Sequence, residues 1–495
     1  MYRLFERLPG FLAWGTLLLM IFASWQKPLW AAIFIILFDT YWLLKTIYLT
    51  FHLRATFVKM RANLKINWQE RLEKECSGRW ESLRHLVILP MYHEPYSVVK
   101  ESLESLTRTN YPPKKIIVVL ATEERAGEEA QKTAIRLEQE YAAQFGSFLI
   151  TRHPVDIAGE IPGKGSNETW AAKAVKQAII DTQKIPYDQI LVSVFDVDTQ
   201  VYSDYFGILS YQFLQAAKPL RSSFQPIPLF INNIYDTPAF ARVVSFSASF
   251  WQMMQQSRPE RLTTFSSHAM PFSALVEIGY WQTDIVSEDS RIFWQCYLHY
   301  NGDWKVEPLF YPVSMDANAA PTFWQTLKNV YKQQRRWGYG VENIPYLLEG
   351  FRTNQLISGK KKAYWSFISV EGFHSWSTNV ILIFALSWLP ILIGSGNFGT
   401  TVLAYKLPEI AGWLIRLSNV GIISAAILSL ILLPPHPKGL RKRDYVFYVA
   451  QWLLMPLTLI IFGALPALEA QTRLMLGGKW RLGFWVTPKS RNYSK

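Results

Sequence analysis

The chain is poor in cysteine, with only Cys76 and Cys296 among 495 residues. Two sulfurs cannot staple a disulfide scaffold or complete a zinc site alone, so both read as reduced thiols. Charge is scarce too, at 18% of residues. With half the chain apolar and 20 Trp beside 30 Phe, that scarcity excludes a disordered protein. Glycine and proline, at 26 and 27, are too few for a fibrous one, and there is no internal repeat or low-complexity tract. Acidic residues are outnumbered, 38 against 51 Lys and Arg, for a net charge of +13. Such a balance suits nucleic acid, anionic lipid or a phosphate-bearing substrate, and the location of the charges must decide.

The apolar residues gather at the two ends and the charged ones in the middle. Stretches 8–25 and 29–51 within segment 1–52 are long enough to span a bilayer, with Lys27-Pro28 as the turn between them. The first follows Arg3 and Arg7, but no small-residue cleavage pattern comes after it, so it reads as an uncleaved helix rather than a signal peptide. Segment 53–84 is a basic juxtamembrane linker carrying Arg54, Lys59, Arg61, Lys65 and Arg71. Segment 346–367 reads as interfacial, and 368–470 holds three more candidate spans, 368–393, 410–433 and 445–468. The loop 434–444 contains Lys438, Arg441, Lys442 and Arg443, whereas 394–409 has only Lys406 and Glu409. The positive-inside rule then predicts an integral membrane protein, of the plasma membrane or its equivalent, with its middle region cytoplasmic. Basic residues beside spans point to membrane lipids and away from nucleic acid.

Five crossings would leave the tail 471–495 outside, although it carries Arg473, Lys479, Arg481, Lys489, Arg491 and Lys495. Either 445–468, which contains Pro456 and Pro466, is broken or re-entrant, or the count is off by one. Within the second span, Lys45 is near enough to the end to snorkel, which leaves Asp39 unexplained. Trp365, Trp376, Trp388 and Trp413 read as interfacial anchors or helix packing.

Between about 85 and 200 short apolar runs alternate with helical patterns. LVILP (86–90), IIVVL (116–120), FLIT (148–151) and ILVSVF (190–195) read as strands. Helices are predicted where Val99, Leu103 and Leu106 share a face, over 127–145 and near 167–183. This alternation predicts a parallel, Rossmann-like sheet with crossover helices, whose ligands bind beyond the carboxyl ends of the strands.

Three motifs fall where chemistry is expected. Asp196-Val197-Asp198 follows the last of those strands, and two carboxylates at a strand end can hold a hard divalent cation against a diphosphate. Alone, it reads more readily as a solvated turn. Ser287-Glu288-Asp289 opens a helical pattern and by itself reads as capping and dipole compensation. QQRRW (333–337), in a helix from about 322, by itself reads as a basic face on lipid headgroups.

In this order, the three resemble the DxD, (T/S)ED and QxxRW signatures of membrane-embedded family 2 glycosyltransferases, which include cellulose, chitin and hyaluronan synthases and ceramide glucosyltransferase. LPMYHEP (89–95) resembles that family's first-strand motif, and GKGSNETWA (163–171) its Lys-x-x-x-Asn segment. The resemblance covers roughly residues 85–345 and the flanking helices. It implies a GT-A (Rossmann-like) α/β domain on the cytoplasmic side, inserted between transmembrane helices, and an inverting transfer from a nucleotide-sugar. Asp198 with Asp196 would bind Mg2+ or Mn2+, and Lys164, Glu94, Glu123, Asp196 and Arg336 would face the donor. Asp289 would be the general base, its pKa raised beside Glu288. Gln333, Trp337 and His268 would meet the acceptor, although His268 also reads as a packed loop histidine.

The chain departs from the family in places. Where an Asp pair commonly meets uracil, it has Ala121-Thr122-Glu123-Glu124, so either Glu123 substitutes or the base is recognised differently, and a UDP-sugar is one donor candidate. The Asn expected before Glu94 is His93, and FSSHAM (265–270) stands where an acceptor-side Gly-Thr or Gly-Ser is usual. The acceptor is expected to be a glycan extended processively, with a lipid acceptor taking one sugar as the alternative and a non-catalytic transport or assembly protein as the remote one.

Overall fold

The computed structural model describes residues 1–436 and 439–488 and has an α/β domain between two sets of apolar helices. Lys438 of the basic loop and Lys489, Arg491 and Lys495 of the tail lie outside the described residues. The domain is built on β1 (Arg84–Pro90), β2 (Ile116–Glu123), β3 (Ser147–His153), β4 (Ile190–Val194), β5 (Gln200–Val201), β6 (Ser222–Phe230), β7 (Ala269–Pro271) and β8 (Lys305–Met315). They form one sheet in the order β3-β2-β1-β4-β7-β6-β8-β5.

The unbroken apolar runs of β1 and β2 are explained by cover on both faces. Val87, Leu89, Val118 and Leu120 enter a core with Leu103 and Leu106 of the Tyr96–Thr107 helix and Leu137 of Gly127–Tyr141. Leu86, Ile88, Ile117 and Val119 enter the opposite core, with Ala171, Ala172 and Val175 of Lys164–Val175 and Ile292 of Glu288–His299. Leu120 is fully buried, and truncating such a side chain to Ala costs about 2–5 kcal/mol.

The expected parallel pairing holds for β1 to β4, with Leu86 opposite Ile117, Val87 opposite Ser193 and Val119 opposite Leu149. The other half is mixed. β7 runs antiparallel to β4 and β6, β5 runs antiparallel to β8, and β6 is parallel to β8. The sheet is thus mostly, not wholly, parallel. At the β1–β4 junction, chain order reverses, and strand ends there open onto the crevice in which open sheets bind ligands.

Among the described residues, four helices are long and apolar enough to cross a membrane: α1 (Tyr2–Gln26), α2 (Pro28–Asn63), Val402–Leu432 and Lys442–Leu476. The Trp25 carbonyl accepts from the Ser395 N–H at 2.9 Å, so the α1–α2 turn and the 394–398 turn lie together. The Gly359–Ile381 helix reaches them from the α/β domain, where Trp365 packs on Phe293 and Trp294. It continues through a π turn at Leu382–Leu386 to Ile393. Val402–Leu432 then returns, with Ala425 and Ala426 packed among Leu53, Met60 and Ile227.

Lys442–Leu476 begins and ends at the α/β domain. Near its start Tyr448 covers Arg242 at 4.8 Å, and near its end Ala470 and Leu474 pack on Val286, Tyr339 and Val341. Short 3-10 and π turns at Gln451–Leu454 and Leu459–Ala464 interrupt it, beside Pro456 and Pro466. Arg3 caps its last turn, donating to the carbonyls of Leu474, Met475 and Leu476 at 2.9, 2.7 and 2.7 Å. The described part of the tail therefore leaves this helix beside the α/β domain.

One expectation within the spans changes, and Asp39 stays unexplained. Lys45 does not snorkel: its ammonium pairs with Glu371 at 2.8 Å, tying α2 to the Gly359–Ile381 helix. Asp39 is buried, and neither carboxylate oxygen has a hydrogen-bond partner among the described residues. Cys76 and Cys296 are free, as expected, and both are buried.

Candidate active site

Lys164 opens the Lys164–Val175 helix at the strand-end crevice. Its Nζ lies 2.9 Å from Asp196 Oδ1, 3.5 Å from Glu168 Oε1 and 3.6 Å from Glu288 Oε1. Burial draws the lysine pKa down, but the charges of Asp196, Glu168, Glu288 and Asp289 outweigh it and hold it well above its ordinary value. A buried ammonium is thus kept charged by its carboxylates. Burial raises Glu168 well above the usual carboxylate range, against the attraction of Lys164. Glu288 is pushed up to about 7 by burial and then by the Asp289 charge, opposed by Lys164 and Arg336. The raised carboxyl in the Ser-Glu-Asp motif is that of Glu288, and Asp289 beside it is half-buried.

Asp196 and Asp198 follow the wholly buried β4. Asp198 is fully buried, its Oδ2 accepting from the Asp316 N–H at 2.8 Å and its carbonyl from Asn232 Nδ2 at 3.0 Å. Among the described residues, no group of three or more His, Cys, Asp and Glu is arranged for a metal. Two hard carboxylates at one strand end, one of them already facing an ammonium, fit Mg2+ or Mn2+ that completes its shell with phosphate and water.

The Phe323–Gly338 helix is started by Thr322, whose hydroxyl accepts from the Gln325 N–H at 3.3 Å. It presents Gln333, Arg336 and Trp337. Gln333 Oε1 accepts from Asn318 Nδ2 at 3.2 Å, and the Trp337 ring lies 5.8 Å from both Phe230 and Phe265. Arg336 Nε has no hydrogen-bond partner among the described residues, and its charge acts on Glu288. His268 is buried before β7, with Nδ1 donating to the Phe265 carbonyl at 3.1 Å. Burial, then the Lys164 charge, bring its pKa down to about 4, so the ring is neutral at pH 7.

Glu94 lies in the loop beyond β1, and Glu123 is the last residue of β2. Glu94 Oε2 accepts from the Tyr92 N–H at 2.6 Å. Glu123 is buried and ion-paired with Arg125, whose guanidinium lies 4.6 Å from the centre of the Tyr92 ring. The segments that follow β1 and β2 are therefore joined.

Sequence reasoning missed two parts of the site. Glu168 is one helical turn beyond Lys164, and that spacing was the available signal. The tail was read only as positive charge, yet a Cβ at Gly163 would meet Phe484 Cγ at 2.6 Å. The same Phe484 ring lies 4.9 Å from the Arg336 guanidinium, and Trp485 lies 5.2 Å from Lys332 Nζ. The tail crosses the mouth of the site between the Lys164 and Arg336 helices.

No family model and no curated protein matches the chain. Among solved structures it is similar to the mannosyltransferase PcManGT from Pyrobaculum calidifontis in complex with GDP-Man and Mn2+. That match has 14% identity and a TM-score of 0.41, over 77% of this chain and 99% of that one. It is also similar to S. aureus TarS 1-349 in complex with UDP-GlcNAc, with 12% identity and a TM-score of 0.38 over 75% of this chain and 91% of that one.

Proposed function

We propose that this chain is an inverting, GT-A-type glycosyltransferase that moves a sugar from a nucleotide-sugar to a glycan acceptor at the membrane and extends the product processively. The observation that carries the reading is the convergence of Asp196 and Glu288 on Lys164, whose Nζ lies 2.9 Å from the first and 3.6 Å from the second, with Arg336 acting on Glu288. A site built this way neutralises a departing diphosphate and holds acids beside it.

Lys164 and Arg336 bind and orient the diphosphate, and the joined segments of Glu94 and Glu123 flank the nucleoside. Asp196 and Asp198 would hold Mg2+ or Mn2+, which when bound supplies positive charge to the leaving group. Trp337 offers an apolar ring to the acceptor sugar, Gln333 a hydrogen bond, and neutral His268 lines the same side. Asp289 takes the acceptor hydroxyl proton as that oxygen attacks the anomeric carbon and the bond to the diphosphate breaks, in a single displacement that inverts the centre. The basic segments beside the spans support a domain on the cytoplasmic side, against anionic lipid.

The test is incubation of membranes containing the full chain with a panel of radiolabelled nucleotide-sugars and a divalent metal, followed by separation of products by size. Label in a ladder or a large polymer supports processive synthesis. A single labelled glycolipid moves the acceptor assignment to lipid, and no metal-dependent transfer from any donor overturns the reading.

A further inference from the structure

Glu342 belongs to none of the motifs, yet its side chain is anchored to the backbone that carries two of the site's acids. It ends the Tyr339–Glu342 turn, directly after the Phe323–Gly338 helix that bears Arg336 and Trp337. A single oxygen, Glu342 Oε1, accepts from the Val286 N–H at 3.0 Å, the Ser287 N–H at 2.9 Å and the Ser287 hydroxyl at 2.7 Å. The next residues in the chain are Glu288 and Asp289.

The contact does the work of a helix cap from outside the helix. Ser287 is the N-cap of Glu288–His299 but makes no capping bond with its own side chain, its hydroxyl being turned to Glu342. A carboxylate there also favours the positive end of the helix. A second set of bonds closes the joint. Arg291 donates through Nε to Asn343 Oδ1 at 2.5 Å, through Nη2 to the Glu342 carbonyl at 2.9 Å and through Nη1 to Gln282 Oε1 at 2.5 Å. Asn343 Nδ2 then donates to Ser290 Oγ at 2.9 Å. Charge-assisted hydrogen bonds of this kind are the strong ones, and they hold geometry as well as energy.

We propose that Glu342 is a positioning residue: it fixes Ser287, and through it Glu288 and Asp289, relative to Arg336 and Trp337. The proposal rests on the glycosyltransferase reading for its kinetic consequence, while its structural part stands on the bonds themselves. Among the described residues Glu342 bonds to none of those that face the donor in that reading, so its loss acts on the donor side only through Glu288, which lies 3.6 Å from the Lys164 ammonium.

The experiment compares the detergent-solubilised full chain with its Glu342→Gln variant, which keeps the shape and removes the charge. Misplacing a reacting group by about 1 Å can cost on the order of 10²-fold, so kcat is expected to fall between about tenfold and a hundredfold. Donor KM should change by less than kcat, because Lys164 and Arg336 are not bonded to Glu342 and feel its loss only through Glu288. Glu342→Asp, which keeps the charge on a shorter arm, should recover part of kcat. Amide hydrogen exchange at Val286 and Ser287 should quicken in the Gln variant, a readout independent of turnover. Unchanged kcat, unchanged exchange, or a parallel collapse of kcat and donor KM each overturns the proposal. If Glu342→Gln does not fold, Ser287→Ala removes one of the three bonds and should show both effects to a smaller degree; neither effect there overturns it equally. A wild-type chain that transfers no sugar removes the glycosyltransferase reading, and exchange still decides whether Glu342 holds the segment.

Discussion

The ammonium of Lys164 stands 2.9 Å from Asp196 Oδ1, so the first acid of the strand-end pair already has a positive partner. The second acid, Asp198, is held by the Asp316 N–H at 2.8 Å. A cation binding to both carboxylates would meet one that Lys164 shares and one whose orientation the backbone fixes.

That division of labour makes Asp198→Asn the informative change. The amide oxygen can still accept from the Asp316 N–H, but the charge needed for a divalent ion is gone. Transfer is expected to disappear while the thermal midpoint stays close to wild type, and EDTA should silence the wild type until Mg2+ or Mn2+ is restored. Full transfer by the variant, or by the chelated wild type, removes the metal assignment.

The acid pair of the Ser-Glu-Asp motif calls for a different comparison. Asp289→Asn removes the proposed base, and general-base assistance is typically worth about 10²–10⁴-fold in rate. Turnover should fall by that order, with nucleotide-sugar binding by calorimetry retained. Glu288→Gln should cost less, since its carboxyl is already pushed up to about 7 by burial and the Asp289 charge. If Glu288→Gln is the inactive variant and Asp289→Asn is not, the base has been assigned to the wrong carboxylate.

The half of the sheet built from β1 to β4 was legible because β1, β2 and β4 centre on apolar runs buried on both faces and β3 carries the short apolar run Phe148–Ile150. β5 and β7 were not, being two and three residues long, and Pro226 and Pro228 break any period in β6. The motif residues were found because their spacing is local: Asp196 with Asp198, Glu288 with Asp289, Gln333 with Arg336. The convergence of Asp196 and Glu288 on Lys164 depends on contacts between distant elements that no short pattern records. Phe484 and Glu342 escaped for the same reason, since each acts on a residue far from it in the chain. The broken Lys442–Leu476 segment was half legible, Pro456 and Pro466 marking the interruption but not the side on which it ends.

The path of the helices gives a labelling pattern. Ser395, Lys442 and Gly483 are exposed, and both native cysteines are buried, which keeps the background low. In intact cells, an impermeant thiol reagent should reach Ser395→Cys and spare Lys442→Cys and Gly483→Cys. Labelling of Gly483→Cys together with Ser395→Cys would mean that Lys442–Leu476 crosses the bilayer after all. Labelling of Lys442→Cys and Gly483→Cys without Ser395→Cys would invert the proposed orientation.

His268 links the site to acid stability. Its pKa falls from the ordinary 6.5 to about 4 in the folded chain, by burial and the Lys164 charge. As pH drops through that window, the unfolded chain takes up the proton first, so folded stability is lost on acidification and regained as pH rises. The full shift corresponds to roughly 3 kcal/mol for this one group. His268→Asn, which can still donate to the Phe265 carbonyl, should flatten the midpoint-against-pH curve of the solubilised protein between about pH 6.5 and pH 4. A residual slope is expected from buried His85, whose pKa is lowered to about 3. An unchanged slope in the variant would mean that His268 is not held neutral.

The tail crossing the site is testable through Gly163. Its φ of 164° is ordinary extended backbone, so an added methyl is not opposed by strain there. The obstacle is Phe484, whose Cγ, Cβ and Cδ1 would lie 2.6, 2.8 and 2.8 Å from the new Cβ. An aromatic ring cannot yield that distance by bending, so Gly163→Ala should lift Phe484 away, together with its contact to the Arg336 guanidinium. Such a cation–π contact is worth about 0.5–1 kcal/mol at an exposed site, too little to hold the tail against a clash. Arg481, which anchors the tail to buried Glu6 at 2.5 Å, offers a trypsin site whose cleavage reports how often the tail is released. Gly163→Ala and Phe484→Ala should each accelerate that cleavage, and the double variant should add nothing, because both remove one contact. Additive acceleration would separate the two residues, and unchanged cleavage in Gly163→Ala would show that the tail is held elsewhere.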